Sequence, residues 1–205
     1  NNPEVIASLN AENEYSDRIM AHTKPLEEKI FEEIKSRIAQ TDMSVPYKRD
    51  GYFYYTRYEQ GKEYPIFARR KGSLDQPEEI MLDANVLAQG HDFFSIGGWA
   101  LSADQNLMAY SVDTQGRRIF TTYIKDLTTG ELLPDVIPNV TENLTWADDN
   151  HTLFYAKQDL NTLRAYQIYR HRLGTSPDGD QLVFEESDET YAAYVYKTKS
   201  KKYLM

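Results

Sequence analysis

The spacing of hydrophobic residues changes once along this chain, near residue 42. Before that point it is helical. Val5, Ile6, Leu9, Ile19 and Met20, with Tyr15 between them, form one apolar stripe, and Leu26, Ile30, Ile34 and Ile38, with Phe31 beside them, form a second. Asn2 is suited to cap the first helix, which is expected over residues 1–23. Pro3 suits its first position and Glu4 complements its dipole. Lys24-Pro25 ends that helix and starts the next. There Glu27 and Glu28 lie in the first turn, with Lys35 and Arg37 near the end. Stripes of this kind are packing faces, and no chemistry is read in them. Beyond Thr41–Pro46 the period becomes two, the signature of strands.

The clearest strand pattern runs from Gly97 to Leu133. Trp99–Leu101, Leu107–Val112, Phe120–Leu127 and Leu132–Leu133 are short β-prone runs, separated by the polar breakers Ser102–Asn106, Asp113–Arg118 and Thr128–Glu131. A weaker copy begins at Leu144–Trp146. Trp99 and Trp146 are 47 residues apart (146 − 99), and Tyr110 and Tyr155 are 45 apart (155 − 110). Four short strands repeating at about 40–50 residues predict propeller blades. One such blade cannot bury both of its faces, so its neighbours must cover it.

The rest of the chain fits around this unit. Gly51–Tyr58, Tyr64–Arg70 and Ile80–Leu82 read as an irregular first blade, followed by a helical turn within Asp83–Gln89. Leu153–Ala156, Arg164–Leu173 and Leu182–Phe184 continue the third blade. Ala193–Lys197 and Tyr203–Met205 look like the opening of a fourth. The expected architecture is mainly β: an N-terminal helical segment over 1–42, then an incomplete β-propeller over 43–205. Its blades fall at about 47–90, 97–137 and 144–186, and another starts at 192–205. Tyr203–Met205 is a hydrophobic run, so the chain is expected to be part of a longer protein. Open blade edges are expected to promote self-association.

Composition narrows the function by exclusion. A net charge of −9 argues against nucleic acid or an anionic membrane as a main partner. With no cysteine, thiol catalysis and Cys-based metal sites are excluded, and a reducing, cytoplasmic setting is expected. No apolar run approaches the roughly 20 residues of a membrane helix. There is no G-x-S-x-G nucleophile elbow and no phosphate-binding loop, and Ser176 belongs to a turn. His22, His91, His151 and His171 show no metal-ligand spacing, so neither a metal nor a cofactor is expected. The Asn-x-Ser/Thr sequons at Asn139, Asn143 and Asn150 are read as turn chemistry. Arg69-Arg70-Lys71 is read as a solvated triplet. The chemistry of interest is charge in two loops, Gly90-His91-Asp92 and Gly116-Arg117-Arg118. The loop entering a blade's first strand and the loop joining its second and third lie at the same end. Asp92, Arg117 and Arg118 are therefore expected on one rim, where arginine suits a bidentate grip on a carboxylate of a partner domain.

Several segments carry a family resemblance. They are Pro3-Glu4-Val5-Ile6, Ala11-Glu12-Asn13, Ser44-Val45-Pro46-Tyr47, Gly51–Tyr55, Gly61-Lys62-Glu63-Tyr64-Pro65-Ile66, Leu82-Asp83-Ala84-Asn85, Gly116-Arg117-Arg118, Tyr166–His171 and Leu173-Gly174-Thr175. Together they resemble the N-terminal part of the oligopeptidase B (protease II) branch of the prolyl oligopeptidase family of serine peptidases. The resemblance implies a seven-bladed propeller that caps an α/β-hydrolase domain with a Ser-Asp-His triad. It also implies N-terminal helices packed on that domain, cleavage of short peptides after Arg or Lys, and a propeller that excludes folded proteins. The implied partners are the chain's own C-terminal catalytic domain and peptide substrates. No triad residue maps onto this chain, which is expected to be inactive alone. The sister branch that cleaves after proline and a non-catalytic propeller module are the alternatives.

Overall fold

The computed structural model describes residues 2–205; residue 1, the start of the expected first helix, lies outside them. Residues up to 42, with 59–61, form one compact unit, and residues 43–58 with 62–205 form another.

In the first unit, α1 (Pro3–Met20) starts as its sequence requires: Asn2 Oδ1 accepts the Glu4 amide at 2.9 Å, and Pro3 opens the helix. A single 3₁₀ turn, Ala21–Thr23, leads into α2 (Lys24–Ser36). Neither helix buries a residue. Leu9, Leu26, Phe31 and Ile34 are all more than half exposed, so the two apolar stripes lack the cover that such faces ordinarily have.

The second unit is built of antiparallel strands. β1 (Tyr47–Arg49), β2 (Tyr52–Arg57), β3 (Ile66–Lys71) and β4 (Glu79–Asp83) form a four-stranded meander, and a short helix, α3 (Ala84–Leu87), leads out of it. Seven strands follow in strict neighbour order: β5 (Ser95–Leu101), β6 (Leu107–Asp113), β7 (Phe120–Asp126), β8 (Leu132–Trp146), β9 (Thr152–Gln158), β10 (Ala165–Arg172) and β11 (Gln181–Glu185). The fourth strand of the second blade and the first of the third, expected as separate runs, are the two parts of one strand, β8. Its early residues pair with β7 and its late residues with β9. Pro134 and Pro138 are exposed positions of this strand, while Asp135 and Ile137 alternate inward. Asn139, with φ of 59°, marks where the strand turns from one blade to the next.

β6 shows why the blades read as continuous apolar runs. Met108, Tyr110 and Val112 on one face join Tyr54, Met81 and Leu82 of the first blade and Phe94 of the segment entering β5. Ala109 on the other face joins Ile124, Ile137, Trp146 and Tyr155. A third cluster, Ala156 and Ile168 with Ala193 and Val195, begins the next interface. The repeat has a defined register. Trp99 pairs with Tyr110 and Leu144 with Tyr155, so Trp99 corresponds to Leu144 and the period here is 45 residues (144 − 99). The tyrosines were in register and the two tryptophans were not. Tyr110 stacks on Tyr123, and Tyr155 on Tyr169, each at 5.8 Å between centroids.

The second and third blades meet at Gly97-Gly98. A Cβ on Gly98 would lie 2.0 Å from the Glu142 carbonyl oxygen, and one on Gly97 would lie 2.6 Å from the Phe120 ring. Gly→Ala at a permissive site stabilises by about 0.4–1 kcal/mol, but forcing a methyl against backbone costs about 1–3 kcal/mol, so the clash decides the sign. Gly98→Ala is expected to lower stability by about 1–3 kcal/mol in denaturant unfolding.

Candidate functional site

The strands define two ends. Ser95 pairs with Asp113, so the segment entering β5 and the β6–β7 loop lie at one end. Leu101 pairs with Met108, so the β5–β6 turn lies at the other.

The first end carries the sequence-predicted residues. Its organiser is Asp113, which is 2% exposed. Asp113 Oδ1 accepts the amides of Gln115 at 2.8 Å and Gly116 at 3.0 Å, and Oδ2 accepts the Arg118 amide at 2.6 Å. This nest lets Arg118 hold a φ of 56°, unusual for a residue with a side chain, and Gly116 a φ of 72°. The loop reaches the neighbouring segment at Phe93, whose ring lies 3.5 Å from where a Gly116 Cβ would stand. From the third blade, the Gln158 amide donates to the Arg118 carbonyl at 2.6 Å. Asp92, Arg117 and Arg118 are exposed on this one rim. The loop positions their backbones, while their charged groups form no ion pair with one another. Sequence reasoning missed Asp113, although the Asp-x-x-Gly spacing of an Asx-type turn was its signal.

The other end holds a feature that sequence reasoning did not single out. A cavity of 380 Å³ is lined by β1, β5 and β8, the turns after β1 and β8, and the segment 197–201, through Arg49 and Asp50, Trp99, Trp146 and Asp148, and Lys197 and Lys201. Lys201 donates to Asp50 across 151 residues of chain, and Arg49 meets the same carboxylate at 3.3 Å. Lys197 pairs with Asp148 at 2.6 Å. The Lys201 hydrogen bond holds the Asp50 carboxyl below the usual aspartate range. Adjacent turns are tied edge to edge. Arg69, 2% exposed, donates to the Gln105 carbonyl at 2.6 Å, and Tyr54 donates to the Gln105 side chain at 2.7 Å. The solvated reading of Arg69 therefore gives way: β3 turns it inward, where Glu79 also pairs with it at 2.8 Å.

The sequons have structural work. Asn150, with φ of 58°, accepts the Asp104 amide at 3.0 Å. The Asn143 amide pairs with both backbone groups of Val195, at 2.7 and 2.9 Å. Among the described residues, no three His, Cys, Asp or Glu side chains gather as metal ligands. Ser176 Oγ accepts the Asp178 amide and caps a 3₁₀ turn, so it is held as a turn residue.

Comparison with known proteins places this geometry. The profile described as prolyl oligopeptidase, N-terminal β-propeller domain, matches residues 1–205. The chain belongs to the prolyl oligopeptidase family. A dipeptidyl aminopeptidase BI of Pseudoxanthomonas mexicana is 42% identical over 99% of the chain and 30% of its own length. A protease 2 of Moraxella lacunata is 37% identical, again over 99% and 30%. The chain thus spans under a third of these relatives. Oligopeptidase B from Leishmania major superposes with a TM-score of 0.89 at 30% identity, covering 99% of this chain and 29% of that one. Oligopeptidase B from Trypanosoma brucei gives 0.87 at 29%, covering 100% and 29%. The helices and open sheets described above are those of the family's N-terminal propeller.

Proposed function

We propose that this chain is the N-terminal part of a serine oligopeptidase that cleaves short peptides after Arg or Lys, with residues 1–42 as its helical segment and 43–205 as part of its propeller. The observation that carries the reading is the family match along the whole chain, together with the likeness to two oligopeptidase B structures. The propeller limits access to a catalytic domain supplied by the rest of the protein, and the chain alone is inactive. The charged mouth at the Asp50–Lys201 end faces away from that domain, and the rim of Asp92, Arg117 and Arg118 faces it. The exposed stripes of α1 and α2 are read as faces the catalytic domain covers. A cytoplasmic setting fits the absence of cysteine.

The 42% identity to a protein named dipeptidyl aminopeptidase BI favours a second reading, release of dipeptides from a free amino terminus. The full-length protein separates the two on three substrates: an amino-blocked peptide with arginine before the scissile bond, its proline counterpart, and an arginine-containing dipeptide with a free amino terminus. Cleavage of the blocked arginine peptide is expected. A requirement for the free terminus supports the second reading, proline preference moves the chain to the sister branch, and no cleavage overturns the proposal.

The rim is tested separately. Arg118→Asn removes the charge while keeping a residue that tolerates positive φ. It is expected to lower kcat/KM on the arginine peptide by up to about fivefold, the range of an exposed charge pair, and an unchanged value removes Arg118 from the interdomain contact.

The chain by itself is proposed to self-associate. β11 exposes Leu182, Val183 and Phe184, and Tyr191, Tyr194 and Tyr203 are also open to solvent. Sedimentation of the isolated chain at high micromolar concentration is expected to show species larger than a monomer.

A further inference from the structure

The second blade leaves open a place that the third blade fills. Tyr110 on β6 and Tyr155 on β9 hold equivalent positions, each stacked on the tyrosine of the next strand. In the third blade the Tyr155 hydroxyl donates to Asp180 Oδ2 at 2.9 Å, and the fully buried His171 meets Asp180 Oδ1 at 2.8 Å. Tyr110 is just as buried, 2% exposed, yet among the described residues nothing accepts from its hydroxyl. Burial pushes this phenol up to about 12, so it keeps its proton and remains a donor at neutral pH.

Strand pairing shows what is missing. Arg170 pairs with Gln181, so His171 stands opposite Asp180. In the second blade Lys125, at the place of His171, pairs with Leu132. Leu132 therefore stands where the third blade has the Asp180 carboxylate, and its side chain accepts nothing. Lys125 is left short of a partner as Tyr110 is. An ammonium has three N–H groups, but among the described residues Lys125 donates only to the Met81 carbonyl, and no carboxylate pairs with it. Burial holds it below its ordinary value, as expected of a cation desolvated without a counter-charge.

Both groups open on one cavity of 260 Å³ in the seam between the first two blades. That is the volume of about eight waters at roughly 30 Å³ each. Leu82 and Leu87 wall it, and the exposed Ile80, Val86 and Leu132 stand about its mouth. Asp83, the other charged group on the wall, is taken up by the Asn85 amide at 2.9 Å and the Asn85 side chain at 3.1 Å, and forms no ion pair with Lys125. The cavity thus has apolar walls, a buried phenol donor and a half-buried ammonium, and it lacks a charged acceptor. Both unmet groups are costly, and a single carboxylate answers such a pair in the third blade.

We propose that this cavity binds a small monocarboxylic acid with a short apolar chain. Its carboxylate takes the Tyr110 hydroxyl and the Lys125 ammonium, as Asp180 takes Tyr155 and His171, and its chain lies along Leu82, Leu87 and Leu132. Asp83 on the wall disfavours a second negative charge on the ligand. The bound acid touches β4 and α3 on one side and β7 and β8 on the other, so it braces the seam between the blades.

Hexanoate is the probe, titrated calorimetrically into the full-length protein, with hexanamide as its uncharged counterpart. Hexanoate is expected to bind saturably with a Kd on the order of 1 mM, and hexanamide at least about tenfold more weakly. Tyr110→Phe keeps the ring stack and removes one donor, and is expected to weaken hexanoate binding about tenfold. Lys125→Met removes the charge and keeps an apolar chain, and is expected to weaken it further. Leu132→Asp supplies from the chain itself the carboxylate that the third blade has, and is expected to abolish binding. No saturable binding of hexanoate below about 10 mM overturns the proposal. So does binding that hexanamide matches, or that Tyr110→Phe or Lys125→Met leaves unchanged, since the acid then sits elsewhere on the protein.

Discussion

The second unit depends on strands buried on both faces. β6 can be so because one blade lies on either side of it, and the blades can approach closely because Gly97 and Gly98 carry no side chain where the Glu142 backbone and the Phe120 ring come in. A methyl group at Gly98 would lift β5 from β8 and thin the cluster that contains Trp146, whose indole donates to the Ala100 carbonyl at 3.1 Å across the same seam. Interior packing is dense enough that such a displacement is felt by the whole face rather than absorbed locally. The continuity of β8 follows from the same constraint. A strand that leaves one blade and enters the next without a loop keeps the two sheets at one fixed spacing.

Much of this was legible before the structure. The change of period near residue 42, the cap at Asn2 and the hairpin runs of the second blade follow from local rules of turn chemistry and alternation. Local rules failed where a residue's role depends on a distant neighbour. Trp99 and Trp146 looked like the repeat because they are large, yet size does not set register; pairing does, and it aligns Trp99 with Leu144. Leu132–Leu133 and Leu144–Trp146 looked like separate runs, yet they are the two parts of β8, which pairs with β7 early and β9 late. Arg69 looked solvated within a basic triplet, yet alternation turns it inward onto Gln105. The Asp50–Lys201 pair joins residues 151 apart in sequence, and no spacing rule reaches that far.

The two ends of the strands carry charge in different ways. At the Asp50 end the charges are paired, three cations to two carboxylates: Asp50 with Lys201 and Arg49, and Asp148 with Lys197. Pairs of this kind near the surface contribute little to stability, and their mutual neutralisation leaves the mouth with a single cation in excess. At the rim, Asp92, Arg117 and Arg118 are exposed with no ion pair among them, and a buried carboxylate, Asp113, is spent on holding the loop that presents the two arginines. A loop so fixed loses little entropy when its side chains find partners, which is the property a docking surface needs.

The repeat also explains why the third blade, and not the second, carries the buried histidine. Tyr123 and Tyr169 occupy equivalent positions on their third strands, each stacked on the tyrosine of the second. Two residues on, and on the same face, stand Lys125 and His171. Both reach a group on the fourth strand of the preceding blade: Lys125 Nζ donates to the Met81 carbonyl on β4 at 2.9 Å, and His171 Nε2 meets Asp135 on β8. The architecture asks for a polar tie at this point because the seam there is deep and a backbone or side-chain acceptor needs a partner. Burial pushes the Lys125 ammonium down from its ordinary value, but its single acceptor is a neutral carbonyl that asks only for a donor. His171 answers two carboxylates at once, so in the third blade the same structural position ties the preceding seam at Asp135 and the approach to β11 at Asp180.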